Sequence, residues 1–352
     1  MQYCTPLSEL RVIDEPRFGA KSANLGELLS AGIRVPSGFA LSSRAFASFV
    51  DESGLDGRIA DAVAGLTAGD AVRIGRISHA ISESMRSAPV PDCLRDEISR
   101  RYEGLARARG VTSPPVAVRS SAVGEDGQDA TFAGQQESYL WVRGAEHVCD
   151  AVRDCWVSLY SPPAISYRAR LARGSEPPAM GVTVQLMVDA EVSGVMFTCN
   201  PVSGDPSMIA INASWGLGLA VVGGEVTPDH YLVSKVTGEV VREQISAKQV
   251  EYVPDARGRG AVRVEVPPAR RDVPCLTGQD LSALVDVGRA VQRHFGSHQD
   301  IEWALAREAR PGERLLIVQS RPVTALSVQS RPRPADALSM VMATFGAGRR
   351  EP

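Results

Sequence analysis

Apolar residues recur at helical spacing at Leu25, Leu28 and Leu29, just after Ser22, which reads as an N-cap. That reading puts Lys21 in a loop immediately before a helix. Residues 55–110 keep a helical period, with Ile74, Ile77, Ile81 and Met85 on one face. Pro114 and Pro115 break the period, and VAVRSS (Val116–Ser121) reads as a strand entering a turn. GVTVQLMV (Gly181–Val188) and GVMFT (Gly194–Thr198) read as a strand pair around an acidic turn. Strands are expected at Met208–Asn212, Tyr231–Lys235 and Glu239–Glu243. Residues 254–275, rich in Pro and Arg, read as an exposed loop. Leu281–Phe295 is an amphipathic helix with Leu281, Leu284, Val285 and Val291 inward. Ile301–Leu305 and Leu315–Gln319 form a hairpin around AREARPGER, whose Pro-Gly pair signals a turn.

A chain of 352 residues allows two ordinary domains or one two-lobed domain. A net charge of −3 argues against a nucleic-acid partner read by a basic face. No apolar run approaches a membrane span, and MQYCTPLSELRVIDE lacks the order of a signal peptide. The six cysteines are scattered without a C-x-x-C pair, so neither a zinc site nor a disulfide framework is suggested, and a reduced cytoplasmic protein is expected.

Two distant segments read as pieces of one nucleotide site: Thr131–Tyr139 (TFAGQQESY), which follows VAVRSSAVGEDGQDA, and Ile317–Thr324 (IVQSRPVT), which follows QDIEWAL. Phosphate needs donors on rigid elements, and the guanidinium forks of Arg119 and Arg321 supply them. Magnesium needs hard oxygen ligands such as Glu302 and the Gln319 carbonyl. Alternation puts Gln319 and Arg321 on one face of their strand and turns Glu302 away from Ile301 and Trp303. Gly134 lets the backbone approach phosphate, and the amides around Gln135 form an anion nest. Glu125 and Asp126 serve equally as loop solvation or as magnesium positioners. Lys21 sits in GAKS, which is not a phosphate loop of the G-x-x-x-x-G-K type, and alone reads as a surface lysine. Gln185, the one polar side chain in VTVQLMV, reads either as a satisfied core residue or as a base contact. GLGLAVVGGE (Gly216–Glu225) fails the dinucleotide pattern at Val221, and no Ser-His-Asp arrangement is readable. VQSRP occurs twice, at Val318–Pro322 and Val328–Pro332, and only the first copy is assigned to the site.

Five ordered blocks carry a resemblance: GAKSANLGELLSAGIRVPSGFALS, VAVRSSAVGEDGQDATFAGQQESYL, MVDAEVSGVMFTCNPVSGD, SWGLGLAVVGGEVTPDHYLV, and QDIEWAL with IVQSRPVT. From about residue 10 to 325 the chain resembles the ATP-binding domain of the phosphoenolpyruvate synthase, pyruvate phosphate dikinase and rifampin phosphotransferase family. The resemblance implies an α+β (α/β) fold of ATP-grasp type, with lobes at 1–195 and 196–326 and a flexible tail at 327–352. It implies ATP and Mg2+ as cofactors, with Lys21, Arg119 and Arg321 catalytic on the phosphates. Gly134, Gln135, Ser138 and Gln185 would also contact the nucleotide, and Glu302 and Gln319 would hold the metal. Ser138 stands where a threonine is common. The family pattern GLGE reads GLGL here, so Leu219 removes one carboxylate.

None of the five histidines has the context of the family's phosphoacceptor. The first expectation is therefore an ATP-dependent phosphotransferase component, passing a phosphoryl group to a phosphohistidine-domain protein in trans and on to a small molecule. The alternatives are a stand-alone ATP-grasp kinase or ligase, and a non-catalytic ATP-binding module.

Overall fold

The computed structural model describes residues 2–122, 138–170, 178–255, 260–308 and 312–323. It contains two main sheets with antiparallel ladders, so the α+β reading holds. The first sheet is ordered β1-β2-β5-β3-β4: β1 is Cys4–Pro6, β2 Gly38–Leu41, β3 Val116–Ala122, β4 Ser138–Val142 and β5 Met180–Leu186. The second is ordered β13-β12-β6-β7-β8-β9. Its strands are β6 Ala190–Phe197, β7 Met208–Trp215, β8 Asp229–Ser234, β9 Val240–Gln244, β12 Gln299–Ala306 and β13 Leu315–Pro322. Strands β10 (Val250–Pro254) and β11 (Ala261–Glu265) pair separately. They replace part of the loop expected over 254–275, because Val262 and Val264 carry a strand period within the Arg- and Pro-rich composition.

GVTVQLMV and GVMFT do form strands, but they do not pair with each other. β5 bonds to β2 and β3, whereas β6 bonds to β12 and β7. The chain passes from one sheet to the other at residues 187–189. Residue 195, the expected end of the first lobe, lies inside β6, and residues 327–352 lie outside those described.

Alternation along the strands sorts the two faces of each sheet. Val116 and Val118 of β3, with Val182, Val184 and Leu186 of β5, enter a core built with helices α3 (Ser43–Glu52), α5 (Ala71–Ser87), α6 (Asp92–Arg109) and α7 (Ala145–Ser158). Of the apolar face expected on α5, Ile74, Ile81 and Met85 are buried and Ile77 packs at its margin. Trp156 of α7 stacks on Phe49 of α3 at 5.2 Å, and together they bury a large apolar area. Ala117, Arg119, Thr183 and Gln185 occupy the opposite face. On the second sheet, Ile301, Trp303 and Leu305 pack under α11 (Gly278–Phe295), with Leu281, Leu284, Val285 and Val291 inward. Asp300, Glu302 and Ala304 point the other way. α11 is fixed at both ends: the Thr277 hydroxyl accepts from the Asp280 amide at 3.2 Å, and Gly296 closes the helix at φ 69°.

Helix α2 (Ala20–Ser30) bridges the two sheets. Leu25 and Leu28 enter the core of the second sheet, while Ser22 hydrogen-bonds Thr183 of the first through its hydroxyl at 2.6 Å. Ser22 is therefore not the N-cap. Gly19 begins the helix at φ 77°, and a Cβ there would collide with the Ser121 carbonyl. Lys21 accordingly stands in the first helical turn rather than in a preceding loop.

Candidate nucleotide site

The sheets close on a cleft of about 480 Å3, and seven of the residues named from sequence line it: Lys21, Arg119, Ser138, Gln185, Glu302, Gln319 and Arg321. Gly134 and Gln135, with Glu125 and Asp126, lie outside the described residues.

Lys21 reaches the cleft from α2, where its ammonium donates to the Ser120 carbonyl at 3.2 Å. Arg119 comes from β3, between Ser138 of β4 and Thr183 of β5. Its guanidinium donates to the Val318 carbonyl at 3.2 Å and lies 3.9 Å from the Glu302 carboxylate. Side-chain exposures of 17% and 25% leave this pair partly desolvated, so its charges are screened less than on an open surface. Ser138 is exposed at the start of β4. Gln185 is buried and donates to the Pro36 carbonyl at 3.3 Å, the bonding of a satisfied core glutamine, at a position that also borders the cleft.

Glu302 and Gln319 face each other across β12 and β13. Directly after this pair the register shifts: Glu302 opposes Gln319 and Trp303 opposes Ile317, which leaves Val318 as the extra residue of a bulge. Two residues along, Arg321 faces Asp300 and donates to it from Nε at 2.9 Å, with a second nitrogen at 2.8 Å. This two-nitrogen pairing fixes the plane of the guanidinium. Burial pushes the Asp300 carboxyl above its ordinary range, Arg321 opposes that shift and Glu302 adds to it. Asp300 Oδ1 is buried without a hydrogen-bond partner among the described residues.

Asp300 is the site residue that sequence reasoning missed. The signal was present in QDIEWAL, since the alternation that aims Glu302 into the cleft puts Asp300 on the same face.

The rest of the wall is an apolar cluster that includes Met187, Val188, Ala190, Leu217 and Ala304. Leu219 lines the cleft from the short helix α9 (Leu219–Val222), where the resembling pattern has a carboxylate. None of the five histidines lines the cleft. His230 of β8 stands opposite Asn212, and its Nδ1 lies 2.9 Å from the Asn212 side-chain oxygen. Burial, reinforced by Arg242, lowers its pKa below the ordinary 6.5. His294 bonds Glu27 at 2.8 Å and His298 bonds the Thr198 carbonyl at 2.9 Å.

Cationic and carboxamide groups from both sheets, set against an apolar wall, suit a ligand with an anionic end and a flat apolar end. Two antiparallel sheets hold this cleft between them, the architecture expected from the sequence. Residues 15–341 match the family described as pyruvate phosphate dikinase, AMP/ATP-binding domain, and the chain belongs to that family. A protein of Methanothermobacter thermautotrophicus named probable phosphoenolpyruvate synthase is 38% identical over 347 residues, covering 99% of this chain and 50% of that protein. One of Methanocaldococcus jannaschii with the same name is 37% identical, covering 93% of this chain and 27% of its own length. The phosphoenolpyruvate synthase of Aeropyrum pernix is 38% identical, covering 89% and 41%. The chain thus spans half or less of the length of these relatives. No helix among the described residues is long and apolar enough to cross a membrane.

Proposed function

We propose that the cleft binds Mg-ATP and that the chain is the nucleotide-handling part of a phosphoenolpyruvate-synthase-like phosphotransferase. The observation that supports this best is the convergence of Lys21 from α2 and Arg119 from the first sheet with Glu302, Gln319 and Arg321 from the second. Lys21, Arg119 and Arg321 neutralise charge on the phosphates, and their fixed positions mean little reorganisation accompanies transfer. The apolar cluster at Met187, Val188 and Leu217 takes the base. Gly134 and Gln135 belong to the same proposal through their sequence context alone.

The donor set fits magnesium. Glu302 and Gln319 offer two hard oxygens on facing strands, and the orphaned Asp300 oxygen lies two residues from Glu302. No group of three or more His, Cys, Asp or Glu side chains suited to a metal occurs among the described residues, so the remaining ligands would be phosphate and water oxygens. When bound, the ion neutralises phosphate charge.

The phosphoryl group passes to a histidine of a phosphohistidine-domain protein acting in trans, and from there to a small molecule. This part of the proposal is motivated by the likeness to relatives named phosphoenolpyruvate synthase and by the fact that none of the five histidines is among the described residues lining the cleft. Phosphorus NMR tests it: Mg-ATP is followed with this protein alone, then with a separately purified phosphohistidine-domain protein. AMP and phosphate formed only with the second protein support the reading. ADP formed with a small acceptor and no second protein would replace it with a stand-alone kinase.

A further inference from the structure

β13 is an edge strand of the second sheet, with β12 as its sheet neighbour. Its outer carbonyls need donors from elsewhere. Two of them are met by side chains, one reaching over from the first sheet and one from α2, which packs against β13. Val318 O accepts from Arg119 at 3.2 Å, and Ser320 O accepts from the Asn24 carboxamide at 3.1 Å. These two carbonyls flank Gln319, and Ser320 itself lies between Gln319 and Arg321. Ser320 is also held from the inner side, where its hydroxyl donates to Gln299 at 2.9 Å.

Asn24 is one turn along α2 from Lys21, and i, i+3 residues share a helix face. The same turn of α2 is anchored to the first sheet by the Ser22–Thr183 hydroxyl pair and by Lys21 on Ser120. A continuous path therefore runs from Ser120 through Lys21 and one helical turn to Asn24, and then to the strand carrying Gln319 and Arg321. Arg119 makes a second link, but it carries charge and also faces Glu302. Asn24 is neutral and bonds backbone, so it sets distance without adding charge to the phosphates.

We infer that Asn24 is a positioning residue that sets the spacing between the Lys21 ammonium and the Gln319–Arg321 pair, and so couples phosphate binding at Lys21 to metal binding at Gln319. The inference rests on the Mg-ATP reading of the cleft. Asn24→Leu keeps a similar side-chain volume and loses the amide donor without adding charge, and Asn24→Ala removes the group. ATP affinity is measured by calorimetry with and without Mg2+ for wild type and both variants, with folding checked by circular dichroism. In both variants the gain in ATP affinity on adding Mg2+ is expected to shrink about tenfold, the scale of one lost hydrogen bond. Metal-free affinity is expected to stay within about twofold of wild type, because the phosphate donors remain in place. A role confined to holding the fold together would lower both affinities alike, and that result overturns the inference, as does an unchanged magnesium gain in either folded variant. Wild-type protein that binds no ATP in either condition would overturn the reading of the cleft itself, and the inference with it.

Discussion

Glu302 and Gln319 are directly opposed on neighbouring strands, and the bulge at Val318 begins immediately beyond them. Opposed residues in an antiparallel pair share a face, and both side chains line the cleft. Glu302→Gln keeps the shape and removes the charge. The predicted result is a loss of about ten- to hundredfold in magnesium-dependent ATP affinity, as expected for a charged contact. Thermal stability should hold, since Glu302 is partly solvated and its Arg119 contact is long at 3.9 Å. Calorimetric titration beside a melting curve checks both halves.

Asp300 and Arg321 form the adjacent pair, and here activity and stability should part company. The raised carboxyl pKa means that the folded chain holds this proton more tightly than the unfolded chain. The stability from this group is therefore full below 3.8 and is lost as pH rises through the folded pKa, so the ionised form carries a cost in the folded chain. Asp300→Asn should melt at or above the wild-type temperature at pH 7. Arg321 loses its ionic partner in that variant, and phosphoryl transfer should fall about tenfold or more, the scale of a lost charged hydrogen bond. Melting scans and turnover on the same preparation separate the two effects.

Gly19 sets Lys21 through backbone geometry. Its φ of 77° and its contact with the Ser121 carbonyl leave no room for a side chain. Gly19→Ala should cost about 2–4 kcal/mol in urea unfolding, combining backbone strain with a forced separation of α2 from β3. Gly32 has a similar φ of 74°, but a methyl group there would meet nothing within 4 Å, so Gly32→Ala should cost only the backbone strain, about 1 kcal/mol.

The sequence made much of this legible, and the failures have physical causes. Strand alternation was enough to aim Glu302, Gln319 and Arg321, because the register is unbroken from Gln299 to Glu302 and the bulge falls beyond them at Val318. The helix start was misjudged because a serine inside a first turn looks like an N-cap until its hydroxyl partner, Thr183, is seen 161 residues away. β5 and β6 looked like a hairpin because a short polar link between two apolar runs does not reveal that they join different sheets. Asn24 and Asp300 escaped notice because each acts through a partner distant in sequence or on a neighbouring strand.

His230 gives a pH signature. Burial and Arg242 hold its pKa below 6.5, so the unfolded chain takes up the proton first on acidification. Stability from this group is then full above about 6.5 and declines as pH falls towards the folded value. His298 shifts in the same direction, so the two act together. His230→Gln should flatten part of the decline between pH 7 and pH 5, measured as melting temperature against pH. A slope identical to wild type would remove His230 from the account.

The claim on which the rest depends is that the cleft between the sheets holds a magnesium nucleotide. Calorimetric titration of the wild-type protein with ATP, first without and then with Mg2+, tests it most directly when run beside Glu302→Gln. The account predicts saturable one-site binding that tightens on adding Mg2+ in wild type and tightens far less in the variant. Binding unaffected by Mg2+ and by the substitution, or no binding at all, would contradict it.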